Sequence, residues 1–155
     1  MTEVKFEAVT SDRLYIIQQM YRLAFKPLYE KYQDADTSPY LETLEALEYK
    51  FKQPNSSYYI FKVNNQTIGM IRLITKPQTI KISPLLILPN FQGNGYAQLM
   101  LSKILQMFPT TTSWQVDTIE EEPKLMHLYR KCGFKQIPNR RTKLKDGMHI
   151  IYFTK

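Results

Sequence analysis

Apolar positions along this chain change period several times, and each change marks an element. Val4 to Val9 alternates, with Val4, Phe6 and Ala8 on one face, which predicts a strand. Ser11-Asp12 is an N-cap signal, and Leu14, Ile17, Met20 (or Tyr21) and Ala24 then recur at helical spacing up to Phe25. Pro27 kinks or restarts that helix. Thr37-Ser38-Pro39 sets up a second helix start, because proline suits a first turn. Leu41, Leu44, Leu47 and Phe51 give that helix its apolar stripe. Between the two, Leu28 to Asp36 is polar, aromatic and acidic, a poor core and a plausible lining.

The middle of the chain reads as strands. Tyr58 to Val63 is aromatic and β-branched, Asn64-Asn65-Gln66 is a turn, and Thr67 to Thr75 returns, so the pair predicts a hairpin. Lys76-Pro77 turns again, and Thr79 to Leu88 is a further strand. Pro84 within it belongs at an edge or a bulge, since proline cannot donate to a ladder; the other reading is a strand that starts late, at Leu85. Tyr96 to Phe108 is an amphipathic helix, Trp114 to Ile119 a strand, and Glu120-Glu121-Glu122 precedes Pro123 at the start of another helix. Acidic side chains suit that end of the helix dipole. Leu125, Leu128 and Tyr129, with Cys132 one turn on, face one way from it, and Gly133 ends it as a left-handed cap. Phe134 to Ile137 and Met148 to Phe153 close the chain as strands, with Asp146-Gly147 as a hairpin turn. The predicted order is strand, helix, helix, three strands, helix, strand, helix and two strands, in a single domain over 1–155.

Composition narrows the class. With 155 residues, 43% hydrophobic and 23% charged, the chain is an ordinary globular domain, long enough to bury a core without staples. One cysteine, Cys132, excludes an intrachain disulfide and a cysteine-rich metal site, and points to a reducing compartment. No run approaches the length of a membrane span, and the first residues lack a signal-peptide core, so the expected location is cytoplasmic with no membrane partner. Net charge is +7 with a pI near 9.4, which suits a polyanionic partner. The basic residues are scattered, and the one cluster, Arg140-Arg141-Thr142-Lys143-Leu144-Lys145, is expected to be a solvated loop.

The richest chemistry lies in Ile87-Leu-Pro-Asn-Phe-Gln-Gly-Asn-Gly-Tyr-Ala97, a strand feeding a glycine-punctuated turn that opens a helix. The first helical N–H groups there are unpaired and backed by the positive end of the dipole, and an anionic phosphate is their natural guest. A Walker loop is absent, and the dinucleotide fingerprint fails because Gln98 stands where its third glycine belongs. What fits is Gln/Arg-x-x-Gly-x-Gly/Ala, met by Gln92, Gly95 and Ala97. This resembles the acetyl-CoA pyrophosphate loop of the GNAT superfamily of N-acetyltransferases. Leu128-Tyr129-Arg-Lys-Cys-Gly133-Phe134 is similar to the end of that superfamily's last helix. The resemblance is specific from Thr79 to Phe134 and diffuse before it.

The resemblance implies an α/β (α+β) fold, a mixed and mostly antiparallel sheet of about seven strands with about four helices, splayed at its central strands. It implies acetyl-CoA as co-substrate, no metal, and direct attack of a small-molecule or peptide amine on the thioester. The amides of Gln92, Gly93, Asn94, Gly95, Tyr96 and Ala97 would hold the pyrophosphate, and backbone N–H groups at Ile87 and Leu88 would polarise the carbonyl. Tyr129 would protonate the departing thiolate. The family's usual asparagine, seven residues before that tyrosine, is here Glu122, a cofactor-binding candidate whose carboxylate can still accept a hydrogen bond but cannot donate one, and no carboxylate stands in Thr79-Ile-Lys-Ile-Ser83 to act as base; Asp117 on the next strand is a possible base or relay. His127 would point to solvent, and Cys132 has no base beside it. Tyr29, Glu30, Asp34, Asp36, Tyr40 and Glu42 form an aromatic and acidic set that could receive a cationic amine. Nucleic acid is not the expected partner, and the chain could act as monomer or homodimer. The rival reading is a silent acyl-CoA sensor or a basic nucleic-acid module on the same fold.

Overall fold

A computed structural model describes residues 2–155. Seven strands, β1 (Val4–Ala8), β2 (Ser56–Val63), β3 (Gln66–Thr75), β4 (Thr79–Ile87), β5 (Ser113–Ile119), β6 (Lys135–Lys145) and β7 (Met148–Thr154), form one sheet in the order β1-β2-β3-β4-β5-β7-β6. All neighbours are antiparallel except β4 and β5, which are parallel. A parallel pair needs a crossover, and the helix between these strands supplies it. Among the described residues there are five α-helices: α1 (Leu14–Ala24), α2 (Lys26–Tyr32), α3 (Leu44–Phe51), α4 (Tyr96–Gln106) and α5 (Pro123–Lys131). The fifth, α2, arises because Phe25 departs from ideal helical dihedrals (φ −97°, ψ 0°) and Pro27 restarts the chain in the first turn.

The helices divide between the two faces. On one face α4 and α5 pack Met100, Leu101, Ile104 and Tyr129 against Ile80, Ile82, Trp114, Val116, Ile151 and Phe153. On the other, α1 and α3 bring Leu14, Ile17, Tyr21 and Leu47 onto Tyr58, Ile60, Met70 and Leu86. Side chains alternate across a strand, so the residues of β4 and β5 opposite the first core form the floor of the second face. Those are Lys81, Ser83, Gln115 and Asp117.

Two expectations need correction. The second helix does not begin at Thr37-Ser38-Pro39. Ser38 Oγ accepts from the Tyr40 amide and caps only a 3-10 turn, Pro39–Leu41; Glu42 is then extended, and α3 starts after Thr43, whose Oγ1 accepts from the Ala46 amide at 3.1 Å. The basic cluster from Arg140 to Lys145 is not a loop. It belongs to β6, the exposed outermost strand, where Arg141, Thr142 and Lys143 pair with β7. Charge at an edge strand discourages pairing with other chains, and the same residues had looked loop-like because they lack an apolar face. The three glutamates do stand ahead of α5, with Glu122 at its N-cap, and each also has a tertiary partner. Glu120 accepts from Arg141, Glu121 from His149, and Glu122 from Lys31 and Tyr32, so each ties the helix start to a neighbour.

Pro84 lies inside a continuous β4 and marks a bulge. Leu73 faces Ile82 but Ile71 faces Leu85, so Ser83 and Pro84 together oppose Arg72. The extra residue reverses the alternation: Ile80 and Ile82 join the first core before the bulge, and Leu85 and Ile87 join it after. Pairing of β4 with β5 stops at Ile82 and Val116. Beyond that point the two strands part.

Candidate active site

The parting of β4 and β5 opens beside the glycine loop. Leu88 donates its amide to Ile68 at 2.8 Å, so the hydrogen-bonded pairs of the β3–β4 ladder fall on even residues of β4 at its end. The amides of Leu85 and Ile87 therefore point away from β3 and into the gap. This corrects one expectation: the Leu88 amide is already committed, and the second free donor is Leu85. Strand alternation from Ile87 identifies it once the bulge is known.

The loop itself is braced by its own side chains. A 3-10 turn, Pro89–Phe91, follows Leu88; Gln92 Nε2 then reaches back to the Ile87 carbonyl at 2.9 Å, and Asn94 Nδ2 donates to the carbonyls of Phe91 and Gln92 at 3.2 and 3.3 Å. Gly93 and Gly95 have φ of 81° and 80°, a region that side chains disfavour. A Cβ on either would meet no atom within 4 Å, so the loop leaves an open cradle. Gly95 stands at the N-cap of α4 and offers no side chain, and the first helical bond runs from Leu99 to the Gly95 carbonyl. The amides of Tyr96, Ala97 and Gln98 are left without helix partners. An open, amide-lined cradle at a helix N-terminus fits a pyrophosphate.

Tyr129, on α5, is buried and sits edge-on to Phe134 and tilted to Phe153, each with ring centroids 5.9 Å away. Burial pushes its phenol well above the ordinary value, with smaller contributions from Cys132 and Asp117. It is held as a neutral hydroxyl. Cys132 is half-buried and its thiol is also pushed up by burial, a setting for an inert cysteine rather than a nucleophile. His127 is exposed.

Glu122 is occupied. Its Oε2 accepts from Tyr32 at 2.5 Å and Lys31 at 2.6 Å, while Lys145 donates to the Tyr32 carbonyl. The far end of α2 is thus latched to the start of α5 and to the β6–β7 hairpin. Phe25, just before α2, packs in the same cluster as Leu88 at the end of β4.

The aromatic and acidic set is only partly brought together. Tyr29 and Tyr40 stack with centroids 5.1 Å apart, and the Arg22 guanidinium lies 5.6 Å from the centroid of the Tyr40 ring. The acids are dispersed or neutralised: Glu30 faces Lys26 on an exposed surface, Asp34 accepts from Thr37, Asp36 is exposed, and Glu42 pairs with Lys50. Asp117 is bound by Lys81 at 2.8 Å. Sequence reasoning passed over Arg22 and Arg72; lone arginines in a helix and a strand carry no pattern that marks them. Glu120, Glu121 and His149 bring ligand atoms within 4.8 Å of one another, but Arg141 and the His149–Glu121 contact already satisfy them.

A strand–glycine loop–helix unit beside a split parallel pair, with a buried neutral tyrosine on the next helix, defines a class. The Acetyltransferase (GNAT) family matches residues 17–134, and the chain belongs to that family, as an acyl-CoA-dependent N-acetyltransferase. No curated protein sequence matches it. Solved structures share its fold throughout. A spermidine N-acetyltransferase from Vibrio cholerae, in complex with CoA and spermine, superposes with a TM-score of 0.76 at 17% identity, covering 98% of this chain and 94% of that one. An acetyltransferase from Thermus thermophilus gives 0.74 at 15%, covering 98% and 96%. The ribosomal-protein-S18-alanine N-acetyltransferase from Escherichia coli gives 0.75 at 9%, covering 99% and 92%. A spermidine enzyme and a ribosomal-protein-S18-alanine enzyme are thus comparably good matches, so the likeness speaks to the fold. Among the described residues no helix is long and apolar enough to cross a membrane.

Proposed function

We propose that this protein transfers an acetyl group from acetyl-CoA to a primary amine by direct attack, with Tyr129 as the general acid. The reading is supported above all by the open amide cradle of Gly93 to Ala97 at the start of α4, joined to the outward amides of Leu85 and Ile87 and the buried phenol of Tyr129. Each meets one need of acyl transfer to nitrogen.

The cradle amides bind the pyrophosphate. Hydrogen bonds to a charged group are worth about 1.5–3 kcal/mol each, and the helix dipole adds roughly 0.3–1 kcal/mol, so the amides dominate. Gln92 does not need to touch the ligand; it holds the Ile87 carbonyl and fixes the angle at which strand meets loop. The Ile87 and Leu85 amides polarise the thioester carbonyl as charge develops on its oxygen. As the new C–N bond forms and the C–S bond breaks, Tyr129 gives its proton to the departing sulfur, and the proton shed by the acylated nitrogen returns to the phenolate through water. Deprotonation of the incoming ammonium passes to water, since Asp117 is engaged by Lys81.

Glu122, in place of an asparagine, anchors the acceptor-side helix instead of the co-substrate. Tyr29 and Tyr40 wall the acceptor space. Calorimetry with acetyl-CoA, followed by thiol release across a panel of amines, tests the proposal. Micromolar binding and amine-dependent thiol release are expected; binding with no turnover on any amine would leave a sensor in place of an enzyme.

A further inference from the structure

Arg72 stands at the point where the sheet splits, on the face that carries α1 and α3. It opposes the Ser83-Pro84 bulge, donating from Nε to Ser56 Oγ at 3.0 Å and from Nη1 to the Ser83 carbonyl at 3.2 Å. Its guanidinium lies 5.5 Å from the centroid of the Tyr58 ring. Two of its five N–H groups are used and the remaining ones are enough for a fork. Among the described residues no carboxylate pairs with it, although acids near the acceptor face are matched by lysines: Asp117 by Lys81, Glu42 by Lys50, Glu30 by Lys26.

A second observation points the same way. Tyr58 is 2% exposed, and its buried hydroxyl has no partner of normal hydrogen-bond geometry, only the Arg72 guanidinium beside it. Arg22, which faces Tyr40 from α1, likewise has a buried Nη1 with no partner. Native interiors rarely strand donors, and both of these residues belong to the side of the sheet that carries α1 and α3. The acceptor face therefore offers fixed cations and spare donors, and three of its acids, Asp117, Glu42 and Glu30, are already matched by lysines. Ser83 and Leu85 lie at most about 7 Å apart along the strand, a span that a short amino acid covers.

We propose that the acceptor carries a carboxylate and that Arg72, with the Tyr58 hydroxyl, binds it, so that the protein acetylates the amine of a small amino-carboxylic acid. This rests on the acetyl-transfer reading above and names its substrate class. Arg72 is a specificity-determining residue in that scheme: it orients the amine toward the Leu85–Ile87 amides and takes no proton.

The test is thiol release from acetyl-CoA with free L-amino acids, their C-terminal amides, and spermidine. A free amino acid is expected to be the best acceptor, and its amide to show a KM at least tenfold higher at similar kcat. Arg72→Gln is expected to raise the KM of the acid at least tenfold, to leave the amide unchanged and to keep acetyl-CoA affinity; Arg72→Lys recovers part of the loss. Tyr58→Phe, which removes only the stranded hydroxyl, raises the KM of the acid severalfold and serves where Arg72→Gln does not fold. Spermidine or the amides matching the acids in the native protein overturns the inference and leaves acetyl transfer standing. Equal loss on acid and amide in both variants also overturns it. Failure of acetyl-CoA to bind, with no thiol release on any amine, overturns acetyl transfer itself.

Discussion

Under the proposed transfer, a phenol that delivers one proton per turnover must be neutral whenever a thiolate leaves, and the setting of Tyr129 ensures this. Burial against Phe134 and Phe153 raises its pKa, so the acid form persists through any practical assay range. The alkaline side of the rate profile is then governed by the amine and not by the tyrosine. Tyr129→Phe removes the proton and nothing else of consequence; general acid catalysis is worth about 10²–10⁴-fold, so kcat is expected to fall ~100-fold or more while acetyl-CoA affinity, measured by calorimetry, holds. An unchanged kcat would take the acid role away from this residue. The loop makes a complementary case. Gly95 holds φ +80° with empty space where a Cβ would go, so Gly95→Ala meets no clash but strains the backbone by about 1–2 kcal/mol. The expected outcome is weaker acetyl-CoA binding, by ~10-fold, with a melting temperature lowered by only a few degrees.

At the scale of elements the β3–β4 pair decides where the site's amides point. Gly69 is the tightest contact in it: a Cβ there would lie 2.1 Å from the Leu86 carbonyl oxygen, a backbone atom that cannot turn aside. Gly69→Ala is expected to push the end of β4 off β3, costing about 1–3 kcal/mol as overpacking does and weakening acetyl-CoA binding as well. Equal binding by native and variant protein would show that the gap tolerates the shift. Helix α2 makes a parallel prediction. Tyr32→Phe and Glu122→Gln each weaken the latch that closes the acceptor side, and both should raise acceptor KM more than acetyl-CoA Kd. How much of this was legible follows from the same elements. Strand periodicity located all seven strands, and the motifs at Gln92–Ala97 and Leu128–Phe134 placed the cradle and the tyrosine, because local geometry there depends on local residues. The β6 strand was cut short after Ile137 because an edge strand in water needs no apolar alternation. The acceptor side was the least readable. Pairings such as Glu122 with Lys31, or Arg72 with Ser83, join residues apart in the chain, and whether an acid is free or matched depends on the fold.

For the molecule as a whole the decisive quantity is the balance of charge, +7 at neutral pH. Acid deepens that imbalance, since each carboxylate that protonates adds to a surplus of cations and strains the compact state by self-repulsion. A carboxylate that resists protonation strongly is Glu7, on the outermost strand β1. Hydrogen bonds from Lys62 and then Arg13 lower its pKa from 4.5 to about 2. Lys62 Nζ and Arg13 Nη1 lie 2.9 and 2.8 Å from its two oxygens, so one side chain ties β1 to β2 and to the entrance of α1. The sign follows from linkage: a carboxyl whose folded pKa is depressed favours the folded state above the unfolded pKa, and loses that contribution as pH falls through the folded one. Glu7→Gln should therefore melt below the native protein at pH 7, by a gap that is constant down to about pH 4.5 and closes toward pH 2. Because Glu7 is in contact with water its contribution is screened, so molar salt should narrow the gap at pH 7. Thermal melts of both proteins across that range decide it. A gap that stays open at pH 2 would mean that Glu7 acts through packing and not through its charge.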